Sequence, residues 1–520
     1  MGSNLTVTRK QITLRIVVDT EENKVLYAEA GKDFVDVLLS FLTLPLGTIA
    51  RLVDKDSNMK PLRLGCITSL YQSLANLEPK YWNSERCKQM LLQPRNSMER
   101  FNQRLKLNID DTEPTKFYAC EMPHCRRESV MLVSTFNNTK CKCGRTLIHV
   151  LDVDNTISAD DNMREGYVRE ASFVVYDDLR VMPLNLTSTS CLLKWLRSKD
   201  KIEDFTVNIG PKEVMDLLKC SLGTSMSLTH SLLRWKQIEN PKATAFKNLS
   251  VMPGKENKRM KLNVTIEKSK CKVLFAIVDE DFVDQILSFL TIPLGAVERL
   301  LQGNSGLGCI DKLYNSLSTF DESTDFMSGK NVFGDLKLAP QYKLHKQMLP
   351  ISEVMYPSPL YLRYKPDSPC YIGSKSSSGR SIMVNLWDPK RPSTSKSSYG
   401  YVKSPRMFIV ADDLSVKPFS SGLVLSCLSN ESNSRVSKHD LEERTICVGV
   451  QEVVNILKAS LISASALTTG LGQFLTNTPI KEETNVITQQ MDDLFGQYKD
   501  LFVITEGKIS SKSTPWKKKS

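Results

Sequence analysis

A chain of 520 residues is longer than one hydrophobic core ordinarily supports and suits two to four domains. Its 41% hydrophobic and 24% charged content is that of a soluble globular protein, which excludes disordered and collagen-like classes. The net charge of +11 is spread along the chain except at the tail Trp516–Ser520, so it permits anionic partners without naming one.

The chain opens "MGSNLT", which fits the myristoylation pattern at Gly2 with Thr6 in the hydroxyl position. One acyl chain would give only reversible, peripheral membrane contact. Alternating apolar residues in "ITLRIVVDT" (Ile12 to Thr20) and in "KVLYAEA" (Lys24 to Ala30), separated by a polar turn, predict a β-hairpin. Phe34, Val37, Leu38, Phe41 and Leu42 then recur at helical spacing and predict a core helix, with Asp33 as its N-cap and Pro45 and Gly47 as its stop. Further helices are expected over Gly65–Leu77 and Ser84–Leu92. "ASFVVYDDLRVMP" reads as a strand, a turn and an extended exit, and a helix follows with Pro211 at its first position, where a missing N–H costs nothing.

The same order then repeats. "DFVDVLLSFLTLPLG" (Asp33 to Gly47) answers to "DFVDQILSFLTIPLG" (Asp281 to Gly295), again after a hairpin pattern, "MKLNVTIEK" and "KVLFAIV", and with Asp281 in the capping position. Gly65-Cys66 answers to Gly308-Cys309, Gly166-Tyr167-Val168 to Gly400-Tyr401-Val402, "YDDLRVMP" to "ADDLSVKP", and "GPKEVMDLLKCSL" to "GVQEVVNILKASL". Blocks kept in one order predict a tandem duplication with a period far beyond solenoid repeats. The expected fold class is α+β: two tandem duplicated domains, each with a β-hairpin, core helices and further strands. The boundaries read as 10–234 for the first copy, 235–259 for a polar linker, 260–478 for the second copy and 479–520 for a polar basic tail. Ser374 to Gly400 is Ser-rich and reads as an insertion in the second copy, and one short helix is possible near Gln489–Phe502.

One constellation carries chemistry. Between Phe117 and Leu147 stand Cys120-x4-Cys125 and, after fifteen intervening residues, Cys141-x-Cys143-Gly144. Four thiols in two tight pairs, joined by the strand-like "ESVMLVSTF", are what a tetrahedral zinc ion needs, in a zinc-ribbon-like hairpin. His124 stands beside Cys125 as an alternative donor. Four thiolates close the coordination sphere, so the predicted cofactor is one structural zinc. The second copy lacks the set: Arg363 stands where Cys120 would, and Ser376–Ser378 replace the second pair, leaving Cys370. Arg126, Arg127, Lys140, Lys142 and Arg145 surround the hairpin and are candidate nucleic-acid contacts.

The remaining chemistry is sparse. Asp177-Asp178 and Asp412-Asp413 read as turn residues. The five histidines form no pair at metal or catalytic spacing, and no phosphate loop, nucleophile elbow or dinucleotide fingerprint occurs. There is no apolar run long enough to span a bilayer and no leader pattern at the start. Thirteen cysteines, an odd number scattered over the chain, read as reduced thiols, so cytoplasm or nucleus is expected.

"KVLYAEAGKDFVDVLLSFLTLPLGTIARL", "LNIDDTEPTKFYAC", "VSTFNNTKCKCGRTL" and "VNIGPKEVMDLLKCSL" together resemble the plant family catalogued as domain of unknown function 674. The resemblance extends over nearly the whole chain, once per copy. It implies a plant protein, places Cys120, Cys125, Cys141 and Cys143 on the family's cysteine pattern, and assigns no activity. The function expected is that of a non-catalytic interaction or scaffold protein with unknown protein partners. The alternative is RNA or DNA binding by the basic hairpin, and an enzyme of unknown class comes third.

Overall fold

A computed structural model describes residues 11–475 apart from 56–58, 60, 123, 126–129, 154–165, 186–200, 234–258, 322–324, 327–331, 357, 364–369, 375–380, 392–398, 405, 423 and 425–437. Gly2, Arg126, Arg127, almost all of the 235–259 linker, Ser376–Ser378, and the tail with its possible helix lie outside the described residues. The described residues belong to one compact unit of mixed α and β structure.

The alternating segments form the hairpins read from the sequence. Strands β1 (Ile12–Asp19) and β2 (Lys24–Gly31) pair antiparallel, with Asn23 in the left-handed region at the turn. Strands β3 (Phe117–Ala119), β4 (Val130–Ser134) and β5 (His149–Val153) follow, then β6 (Ser172–Tyr176), β7 (Val181–Pro183) and β8 (Ile202–Ile209). The first sheet has the order β7-β6-β2-β1-β8. In the second half of the chain, β9 (Met260–Glu267), β10 (Lys272–Asp279), β14 (Met407–Ala411), β15 (Val416–Pro418) and β16 (Leu441–Val448) form a second sheet, β15-β14-β10-β9-β16. Each strand of the second sheet takes the place of its counterpart in the first.

Helix α1 (Lys32–Phe41) buries Phe34, Val37, Leu38 and Phe41 completely, as their spacing requires, and burial of each is worth about 2 kcal/mol. Its N-cap is Gly31 rather than Asp33, and the corresponding helix Glu280–Ser288 is capped by Asp279, whose carboxylate accepts from the Phe282 N–H at 3.1 Å. Asp33 and Asp281 lie two residues further in, within the first turn. There their charge still suits the helix start, and they pair with Lys106 and Lys346. Pro45 ends the run by opening the next helix, α2 (Leu46–Val53); α3 (Gly65–Asn76) and α4 (Glu85–Leu92) form where expected, the last capped by Ser84.

The halves are knit together by contacts that occur twice with their roles exchanged. The Leu46 N–H donates to the Ile292 carbonyl at 3.0 Å, and the Leu294 N–H to the Leu44 carbonyl at 2.9 Å, so that Pro45 and Pro293 face each other in an antiparallel bridge. Cys66 donates to the Ser463 carbonyl at 3.0 Å, and Cys309 to the Thr224 carbonyl at 3.1 Å. Trp82 bridges Val402, and Phe326 bridges Val168. One contiguous core therefore contains Phe34, Phe41 and Leu42 together with Phe282, Phe289 and Leu290.

A six-stranded closed barrel is also built jointly. Strands β11 (Leu360–Arg363), β12 (Tyr371–Gly373) and β13 (Ser381–Leu386) complete the order β11-β12-β5-β3-β4-β13. Within each half the neighbours are antiparallel, whereas the two seams, β4 with β13 and β5 with β12, are parallel. The Ser-rich stretch read as an insertion thus supplies β13, because "SIMVNL" inside it carries the apolar, strand-favouring run Ile382, Met383 and Val384. Phe117, Met131, Val133, Leu151, Leu360, Leu362, Ile372 and Ile382 fill the barrel, apart from the main core.

The recurring Gly-Tyr-Val is explained by a buried carboxylate. Asp36 accepts the Tyr167 and Val168 N–H groups at 2.7 and 3.0 Å, and Asp284 accepts those of Tyr401 and Val402 at 2.9 and 3.0 Å. A Cβ on Gly166 or Gly400 would lie 2.0 or 1.7 Å from the aspartate oxygen, so only glycine fits. Lys32 pairs with Asp36 at 2.6 Å, but its counterpart in the second half is Glu280. Burial raises both carboxyls; Lys32 offsets part of this at Asp36, whereas Asp284 is pushed up to about 8, above the usual carboxylate range.

Two outcomes follow. Folding takes up a proton at Asp284 between about pH 4 and pH 8, so this contribution to stability falls as pH rises through that window and levels off above it. Unfolding free energies from urea titration at pH 6 and pH 8 should show a loss of about 2 kcal/mol that Asp284→Asn removes, while Asp36→Asn leaves it in place. Gly65, at φ +44°, abuts the Ser460 carbonyl, where a Cβ would come within 2.4 Å. Gly65→Ala should cost about 3 kcal/mol in the same assay, against less than about 0.5 kcal/mol for Gly31→Ala, whose Cβ would meet nothing.

Candidate metal centre

Strand β3 alternates inward Phe117 and Ala119 with outward Tyr118 and delivers Cys120 to one end of the barrel. A tight turn, in which the Cys125 N–H donates to the Met122 carbonyl at 3.1 Å, brings Cys125 back beside it. The second pair sits on a short hairpin after β4. There the Leu147 N–H donates to the Thr139 carbonyl at 2.8 Å and the Cys141 N–H to the Arg145 carbonyl at 2.7 Å. Gly144, at φ +85°, reverses the chain between them.

These two turns bring the four sulfurs within 4.8 Å of one another. Cys120 and Cys143 approach to 3.7 Å, as do Cys125 and Cys141. Four thiolates around a zinc ion at about 2.3 Å would be separated by about 3.8 Å along each edge of the tetrahedron. The cluster therefore fits a tetrahedral thiolate-bound metal, with every position supplied by the protein. His124 is exposed, and Cys125 is the member of the cluster.

The four thiols are not equivalent. Cys120, Cys125 and Cys141 are part of the barrel core, whereas Cys143 is exposed. Burial pushes the Cys120 and Cys125 thiols up. Cys143 is lowered to about 6, first by the Arg145 backbone N–H donating to its sulfur and then by its thiol neighbours. Cys143 is thus more ready to ionise than Cys120 or Cys125.

A model of the family described as Protein of unknown function (DUF674) matches residues 8–446, most of the chain and all four cysteines. The chain belongs to this family. No curated protein and no solved structure matches it. The DUF674 match spans both halves, yet only the first carries the thiol cluster among the described residues. At the position answering to Cys120, Arg363 is buried to 9% exposure with its guanidinium 5.5 Å from the Tyr371 ring. Cys370 is half-buried, and its carbonyl accepts the Asp152 N–H at 3.2 Å across the seam between halves.

Of the basic residues, Lys140, Lys142 and Arg145 are exposed on the cysteine hairpin, a compact basic tip beside the sulfurs. No described helix is long and apolar enough to cross a membrane. Sequence reasoning missed the residues that fix the barrel to the body. Arg95 stacks on Phe136 at 4.4 Å and donates to the Thr135 carbonyl, while the Thr135 hydroxyl donates to Gln341 at 2.7 Å. No local pattern marks them, since their partners are brought together only by the fold.

Proposed function

We propose that this protein is a non-catalytic interaction or scaffold protein whose jointly built barrel is secured by one structural zinc ion held by Cys120, Cys125, Cys141 and Cys143. The observation that carries this reading is the convergence of four sulfurs within 4.8 Å at the end of a small, separate core. A full set of thiolates leaves no open position for substrate, which favours a structural ion over a catalytic one. A small core also gains most from such a staple. The ion would neutralise thiolates that burial otherwise disfavours and would tie the β3 end to the hairpin after β4.

We read the chain as two tandem copies of the family's unit, 10–234 and 260–478, with 235–259 as linker and 479–520 as tail. The recurring sequence blocks and the contacts made twice with roles exchanged both support this. Two related but unequal surfaces, one with a metal hairpin and one without, would then be available to protein partners in a reducing compartment, cytoplasm or nucleus. A second reading, RNA or DNA binding, is favoured by one observation, the exposed Lys140, Lys142 and Arg145 on a single hairpin.

Metal content of the purified chain should be one zinc per molecule. Replacing Cys141→Ser together with Cys143→Ser should abolish it and lower the unfolding free energy measured in urea by several kcal/mol. A well-folded parent without metal would overturn the zinc assignment. Nucleic-acid retention that falls steeply with salt, and that Lys142→Ala with Arg145→Ala weakens, would move the second reading to first place.

A further inference from the structure

The cluster combines two properties that a purely structural site does not need. One donor, Cys143, is exposed, and its sulfur lies 3.7 Å from that of buried Cys120. The other close pair, Cys125 and Cys141, is buried at 6% and 9% exposure. Small oxidants therefore meet one sulfur first, and the Cys120 sulfur stands 3.7 Å from it. Gly144, next to Cys143, has nothing within 4 Å of where a Cβ would stand, so this side of the hairpin tip is open to solvent.

We propose that Cys143 is a site of oxidation by hydroperoxides, resolved by Cys120, and that formation of the Cys120–Cys143 disulfide releases the metal. This inference rests on the zinc reading above. In the first step the Cys143 thiolate attacks one peroxide oxygen, the O–O bond breaks, and hydroxide leaves, giving a sulfenic acid at Cys143. In the second, the Cys120 thiolate attacks that sulfur, the S–S bond forms, and the S–O bond breaks with loss of a second hydroxide. Two thiolates supply the two electrons that reduce one peroxide. The site loses two of its four donors, and the remaining pair, Cys125 and Cys141, cannot close a tetrahedron. The barrel end then passes from a metal staple to a covalent one, and a thiol reductant with zinc restores it.

The test uses the full chain, purified under reducing conditions and exchanged into reductant-free buffer under nitrogen. Zinc content is measured first, then a few equivalents of hydrogen peroxide are added. Released zinc is followed with a chromogenic chelator, and free thiols are trapped with N-ethylmaleimide before non-reduced peptides are mapped by mass spectrometry. Release of one zinc per chain, a Cys120–Cys143 disulfide, and trapped thiols at Cys125 and Cys141 are expected. Cys271, exposed at the β9–β10 turn, reports the effective dose within the same molecule. Oxidation of Cys271 while zinc stays bound and Cys120 and Cys143 are trapped as thiols would overturn the proposal. Zinc release with a Cys125–Cys141 disulfide would overturn it equally. Absence of zinc at the outset would instead fail the zinc reading and take this inference with it.

Discussion

The antiparallel contact between Pro45 and Pro293 is the constraint from which the rest of the architecture follows. Proline offers no N–H, so the two short segments meet through the neighbouring residues: Leu46 donates to Ile292 and Leu294 to Leu44. Each segment is the end of a core helix and the start of the next, so fixing them fixes four helices at once. Everything packed on those helices is then placed as a pair: the two five-stranded sheets, the helices beginning near Gly65 and Gly308 that reach across to the opposite half, and the jointly closed barrel. A surface that meets its own counterpart is the logic of a two-fold dimer interface, here made within one chain.

That pairing also accounts for which differences between the halves the structure accepts. Asp36 and Asp284 perform one task, holding the backbone of a Gly-Tyr-Val segment, but only Asp36 has a lysine beside it. The neutral form of Asp284 meets the same need, since a protonated carboxyl still accepts through its carbonyl oxygen. At the barrel, the thiol cluster of one half is answered by a buried arginine on a tyrosine ring. Both close an end of a small core, one with four clustered thiols and one by stacking.

Much of the local structure was legible. Alternation in "ITLRIVVDT" and helical spacing from Phe34 to Leu42 translate directly into a strand and a helix, because each element buries one face. The cysteine pairs were legible for the same reason: both sit on turns whose geometry is set within a few residues. What could not be read depended on contacts over hundreds of residues. Asp33 looked like a cap because it precedes the apolar run, but the strand before it runs on and winds directly into the helix at Gly31. The Ser-rich stretch concealed β13 because its pairing partner, β4, belongs to the other half. Arg95 and Gln341 carried no signal at all until the barrel loop was laid against the body.

The barrel's parallel seams have a consequence for synthesis. When β4 and β5 leave the ribosome they have antiparallel partners only in β3, and their outer edges stay open until β13 and β12 emerge, about 250 residues later, roughly 10 to 50 s at ordinary translation rates. For that interval the nascent first half presents two unpaired strand edges beside the four cysteines. Early metal capture at the cysteines would hold β3, β4 and the hairpin in register while the chain waits for its second half. The half that is made first is the one that carries the cluster.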